Sequence, residues 1–180
     1  MGKRRGWECL RHVRSPVAVV VSSTPPTPTE QALNGGFEKY AGTSKAPTSW
    51  SSSKFGSTDG KNKIYKSGKF SVQITGSGTL KKTLTQTLTS VPGASGDSVT
   101  FSFWVKGSSV PTAGKCMGQV LLYNGPTITT QTLKCPTSTY GFTKKSITFT
   151  TTSAYDKIII RFTYQKSSGS VWFDLVSLVR

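Results

Sequence analysis

The chain has 180 residues, 34% of them hydrophobic and 11% aromatic, with 23 Lys and Arg against seven Asp and Glu for a net charge of +16. That length suits one domain with a tail, and nine Phe, six Tyr and four Trp are more aromatic surface than a disordered chain carries. No apolar run approaches the roughly 20 residues of a membrane-spanning helix, and a single His with three Cys excludes a His-rich or paired-CxxC zinc site.

Residues 1–32 differ from the rest. Lys3, Arg4, Arg5, Arg11 and Arg14 make the start basic, residues 16–21 form a short apolar run, and residues 22–31 (SSTPPTPTEQ) read as a Thr/Pro-rich spacer. The pattern loosely resembles a signal peptide, but the apolar run is short and Arg14 abuts it. The segment reads as a poorly ordered tail or linker, or as an arm reaching another chain. Cys9 has no evident partner in it.

From Leu33 onward the chain alternates. Phe70, Val72 and Ile74 flank Ser71 and Gln73, and Leu84 and Leu88 sit among Thr residues. Val99, Phe101, Phe103 and Val105 alternate with Thr100, Ser102, Trp104 and Lys106. Ile147 and Phe149, then Ile158, Ile160, Phe162 and Tyr164, continue the period of two, which marks strands with one buried face. Gly/Ser/Pro clusters such as Thr75–Gly78, Val91–Gly93 and Asn124–Pro126 punctuate the runs. No segment sustains a 3.6-residue period. The fold class is therefore all-β, with about nine or ten short strands forming an antiparallel sandwich or barrel over residues 33–180. Cys116 and Cys135 either pair, closing a loop of about 20 residues for about 3 kcal/mol, or stay reduced; spacing does not give geometry.

The basic excess favours a polyanion: nucleic acid, an anionic membrane or an acidic polysaccharide. Outside the tail, however, the Lys residues are mostly single and scattered, with doublets only at Lys81-Lys82 and Lys144-Lys145. Spaced lysines on strand faces keep sheet edges soluble. This reads as solvated surface rather than a groove for a specific nucleic acid, and an acidic-glycan partner stays open.

Five segments in order then become recognisable: Asn34-Gly35-Gly36-Phe37-Glu38, Pro47 with Trp50, Ser67 to Ile74, Val99 to Gly107, and Val171 to Leu178. Together they resemble the jelly-roll carbohydrate-binding modules of the xylan- and cellulose-binding families four, nine and twenty-two, with their galactose-binding-like sandwich. The likeness covers roughly residues 33–180. It implies an extracellular or cell-surface module that holds a polysaccharide without acting on it. It also implies a structural calcium ion where the opening acid meets the acid of the last strand, here Glu38 and Asp174, with the loop Lys66–Lys69 as a carbonyl donor. Leu175 departs from the family pattern, which often has a second acidic or amide residue there. Without the ion, the two acids would pair with Lys or cap backbone groups.

Sugar recognition needs flat aromatic faces and planar polar groups that match hydroxyls. Alternation sends Trp104 and Arg161 away from the core, and Tyr123 and Gln119 share one parity. These four form the expected carbohydrate platform; packing under a loop is the competing role for Trp104, and pairing with an acid that for Arg161. Trp50 is expected in the core. Trp172, which shares parity with Asp174, Val176 and Leu178, is expected to be a buried anchor.

Enzyme readings lack material. His12, the one histidine, lies in the tail, so no Ser–His or Cys–His dyad forms within the domain. A glycosidase needs two carboxylates about 5–9.5 Å apart, and only Glu38 and Asp174 are expected to meet. A different class of function competes with sugar binding: a structural subunit of a surface layer, filament or virion that uses the sandwich for protein–protein packing, with Trp7 and the tail ordering against a neighbour.

Overall fold

A computed structural model describes Gly2 and residues 27–180 apart from Ser90. The expectations for Trp7, Cys9 and His12 fall outside the described residues. Ten strands follow in chain order: β1 (Ser51–Ser53), β2 (Gly60–Asn62), β3 (Ser71–Thr75), β4 (Lys82–Leu88), β5 (Ser98–Val110), β6 (Lys115–Asn124), β7 (Thr127–Lys134), β8 (Ser138–Thr150), β9 (Lys157–Gln165) and β10 (Ser170–Val179). They form two five-stranded antiparallel sheets, ordered β1-β4-β9-β6-β7 and β2-β3-β10-β5-β8. The first is called here the β9 sheet and the second the β10 sheet.

The alternation read from sequence is what joins them. Ile158, Ile160, Phe162 and Tyr164 of β9 face Phe101, Phe103 and Val105 of β5 and Phe173 of β10, all completely buried. Phe162 is the centre of an aromatic cluster. Its ring lies 4.4 Å from that of Phe173, 5.0 Å edge-on from Phe103 and 6.0 Å from Trp50, which packs edge-on against Phe37 at 5.2 Å. Trp50 thus takes the core place expected of it, with its indole N–H donated to the Leu33 carbonyl at 2.9 Å. Beside Phe162 and facing Phe103, β6 carries Gly118, where a Cβ would sit 2.5 Å from Phe103 and 2.9 Å from Phe162. Only a residue without a side chain lets the two Phe rings close on that strand.

A buried ion pair fastens the sheets at one end. Lys82, which opens β4, places its ammonium 2.6 Å from Asp59, just before β2, and also donates to the Thr75 carbonyl at 2.7 Å. Asp59 further accepts the amides of Gly56 and Thr75. The parity of Lys82 with Leu84 and Leu88 is the one sequence signal of this burial. Elsewhere Cys116 and Cys135 form a disulfide, with Cα atoms 5.4 Å apart, that closes the β6–β7 hairpin.

Two expectations change. The sandwich begins before Leu33: Thr29 and Gln31 donate to Arg180 and Leu178, and Glu30 bridges Val179, so residues 29–31 lie along β10 beyond the reach of β3. The prolines that mark the spacer end at Pro28, after which every residue can donate an amide. In β10, register slips between Asp174 and Ser177, with Leu175 at φ 47°. This bulge reverses parity, so Val176 and Leu178 enter the core while Trp172 and Asp174 stay on the outer side, buried beneath neighbouring chain.

Adding one methyl at Gly118 strikes two packed rings, so Gly118→Ala should lower stability by about 1–3 kcal/mol in urea unfolding with little change in m-value. Tyr164 gives a second expectation. It is fully buried, donates to the Ser168 carbonyl at 3.0 Å, and burial pushes its phenol from 10.0 up to about 12. The folded state keeps the proton that the unfolded state releases. The contribution is therefore complete below pH 10 and is lost as pH rises towards 12. Melting temperatures between those two pH values should fall less steeply for Tyr164→Phe than for the wild type.

Candidate functional site

On β9 and β6 the odd-numbered residues point outward. Arg161 and Gln119 are direct cross-strand partners, with Thr85 of β4 on the far side of Arg161 and Thr132 of β7 on the far side of Gln119. Ser51 extends this polar row at the sheet edge. The Gln119 amide donates to the Thr132 hydroxyl at 3.1 Å, which orients its carbonyl. Both Arg161 and Gln119 are half-buried. No carboxylate lies within ion-pair distance of Arg161 among the described residues. Its guanidinium is a planar fork of five donors without an acid to hold it.

Tyr123 lies on the same face, four residues along β6 from Gln119 and so roughly 13 Å away. Its partner Lys157 holds an ammonium 4.2 Å from the ring centroid. The β9-sheet face therefore carries three of the four expected platform residues: a guanidinium and an amide side by side, and one phenol already in contact with a cation.

Trp104 is elsewhere. It lies on the outer face of the β10 sheet, between Asp174 of β10 and Lys144 of β8 in register, with the Lys66 ammonium 4.4 Å from its ring. Its parity away from Phe103 and Val105 is as expected, but a sandwich has two outer faces, and parity within one strand does not distinguish them. The four residues do not form one platform.

Glu38 and Asp174 both grip the loop that includes Lys66–Lys69. Asp174 accepts the amides of Lys66 at 2.7 Å, Ser67 at 3.2 Å and Leu175 at 2.7 Å; Glu38 accepts those of Lys69 at 2.9 Å and Phe70 at 3.2 Å. Gly68, at φ 78°, allows the approach, since a Cβ there would lie 2.1 Å from the Glu38 carboxylate. Burial raises the Asp174 carboxyl above its ordinary range; its three amide bonds oppose that rise and the nearby Glu38 charge adds to it. Calcium requires six to eight oxygen ligands. Here the expected carbonyl donor turns its N–H groups inward, as an anion nest does, and among the described residues no third acid, His or Cys joins the pair. The residues do not fit the ion. They fit the capping role instead.

The same use recurs. Each of the six described carboxylates, Glu30, Glu38, Asp59, Asp97, Asp156 and Asp174, accepts at least one main-chain amide. Short-range sequence spacing hides these roles, because most of the bonded amides lie far along the chain. A second unexpected group is Lys166, 4% exposed, whose ammonium donates to the Pro111 and Thr112 carbonyls at 2.7 and 3.1 Å and whose pKa burial lowers. It borders a cleft of about 350 Å³ that Lys115, Met117, Lys134 and the disulfide also line, at one end of the β9-sheet face.

No known protein family matches the chain by sequence, and no curated protein does. Solved structures do match. The enzymatically active domain of tailspike protein 4 of bacteriophage CBA120 superposes with a TM-score of 0.64 at 13% identity, over 83% of this chain, which spans only 21% of that one. TmCBM61 in complex with β-1,4-galactotriose gives 0.60 at 14% identity over 84% of this chain and 99% of that one. A cyclase from Fischerella sp. TAU gives 0.57 at 16% identity, over 84% and 98%. Carbohydrate-binding modules of families 16, 4 and 22 share the fold at 0.52, 0.52 and 0.51. At these identities the likeness is one of fold. The chain has the all-β jelly-roll sandwich of carbohydrate-binding modules, as its sequence resemblance implied.

If the two acids act as amide caps, EDTA should leave the melting temperature unchanged. Asp174→Asn, which turns an NH₂ towards amide donors, should lower stability by about 1–3 kcal/mol. A chelator-dependent melting temperature would instead assign an ion to Glu38 and Asp174.

Proposed function

We propose that this chain is a non-catalytic polysaccharide-binding module, working at the cell surface or outside the cell, and that the outer face of the β9 sheet is its binding surface. The observation that carries the reading is the register pair Arg161–Gln119, flanked by Thr85 and Thr132 on the outer face of the sheet. A planar guanidinium, a planar amide and fixed hydroxyls are the groups that pair with vicinal sugar hydroxyls. The fold supports it, since a structure of the same fold is seen with β-1,4-galactotriose. The Cys116–Cys135 disulfide supports an oxidising compartment.

The engagement of the carboxylates supports binding without catalysis. A hydrolase would need acids free to exchange protons across a cleft, whereas the six described acids are engaged with main-chain amides. Such a module concentrates whatever is tethered to it on a polymer surface, and avidity from several copies multiplies a weak single-site affinity.

The test is affinity electrophoresis against xylan, β-1,4-galactan and polygalacturonate, with three variants checked for unchanged melting temperature. Arg161→Ala should weaken binding about 10- to 100-fold, the scale of a lost charged hydrogen bond, and Gln119→Ala several-fold, while Trp104→Ala on the opposite face should bind as the wild type does. The reverse order of effects moves the site to the β10 sheet. Retention on no polysaccharide at all, with self-association seen in sedimentation, would favour the assembly-subunit reading.

A further inference from the structure

The composition of the β9 sheet restricts its ligand further. Its five strands contain no Asp or Glu. Lys115, Lys134, Lys157 and Arg161 all lie on its outward parity, and none of them has a carboxylate partner among the described residues, where the ion pairs are Lys82–Asp59 and Arg180–Asp97. Three of the four lie along one line. Lys157 and Arg161 are four residues apart on β9, and Gln165, another four along, pairs with Lys115, so a positive charge recurs roughly every 13 Å.

The line ends in the cleft of about 350 Å³, which Lys115, Lys134 and Lys166 border without an acid. Lys166 spends two of the three donors of its ammonium on carbonyls. Unpaired cations along one sheet face sum to a field that draws polyanions. Aromatic stacking, the usual means of holding a neutral sugar, is scarce here. The described strands offer this face one ring, Tyr123, which Lys157 already contacts.

We propose that the ligand of this face is an anionic polysaccharide, with a carboxylate or sulfate on its repeating unit, lying along β9 with one acidic group on Arg161 and another at the cleft between Lys115 and Lys134. The inference rests on the polysaccharide-binding reading above and narrows it to a charge class. Neutral chains would satisfy the hydroxyls of Thr85 and Thr132 but leave the cation line without counter-charges.

Isothermal titration with polygalacturonate, chondroitin sulfate, neutral β-1,4-galactan and a single-stranded oligonucleotide tests it. The expected result is binding to one or both acidic glycans at least 10-fold tighter than to galactan, weakening as salt rises from about 0.05 to 0.3 M. Which of the two acidic glycans binds separates carboxylate from sulfate. Arg161→Gln and the double variant Lys115→Ala/Lys134→Ala should each lower that affinity 5-fold or more. Lys144→Ala, on the outer face of the other sheet, should leave it unchanged and controls for the loss of one charge.

Galactan bound as well as the acidic chains would overturn the charge class and leave the polysaccharide reading standing. An oligonucleotide bound as tightly as the acidic glycans, or loss of affinity in Lys144→Ala equal to that in Arg161→Gln, would overturn the site as a glycan-specific surface. Binding to no polysaccharide would overturn both readings.

Discussion

Burial of one phenyl ring between two sheets organises this molecule. Phe162 of β9 meets Phe103 of β5 and Phe173 of β10, so three strands from the two layers are held in register by one contact set. Fully burying a side chain of this size contributes about 1.5–3 kcal/mol, and edge-to-face geometry adds to it. Because strand side chains alternate, placing Phe162 inward obliges Arg161 to face outward. The same constraint acts on β6, where Val120 and Leu122 enter the core and Gln119 and Tyr123 leave it. A one-residue slip would bury the guanidinium and expose the ring, at a cost neither sheet could bear. The outward row is thus as firmly specified as the core.

Charge is divided by the same logic of position. The few carboxylates sit where loops need acceptors for their amides, and a carboxylate bonded to two or three N–H groups locks a loop. Glu38 and Asp174 hold the segment around Gly68 in this way, and Asp59 ties two strand ends to Lys82. With the acids so engaged, most of the described lysines have no acid within ion-pair distance. Among the described residues the basic excess is therefore expressed largely as cations without acid partners, and the β9 sheet has no acid in its strands to offset them.

How far the sequence reveals this depends on the range of the interaction concerned. Alternation over four or more residues identified β5, β9 and most of the core, because inward and outward are local properties of a strand. It failed to separate Val176 and Leu178 from Trp172, which is buried as expected, because a single bulge at Leu175 reversed the parity of the residues after it. It also could not tell one outer face from the other, so Trp104 was grouped with Arg161 although two sheets separate them. Lys82 shows the opposite case: its parity with Leu84 and Leu88 was legible, but a lysine inside a core is credible only once its partner Asp59 is seen beside it.

Period-two patterning, Gly/Pro punctuation and the scarcity of acids and histidine were enough to establish an all-β sandwich, to mark Arg161 as outward-facing, to give Gln119 and Tyr123 one shared parity, and to leave little material for catalysis, since each is a property of neighbouring residues or of composition. Strand order, the sheet to which each strand belongs, the Cys116–Cys135 bond and the donors around Glu38 and Asp174 were decided by the tertiary structure. Those depend on contacts between residues distant in the chain, such as the 108 positions between Lys66 and Asp174, and the energy that selects them is the burial of two sheets against each other, which no single segment contains.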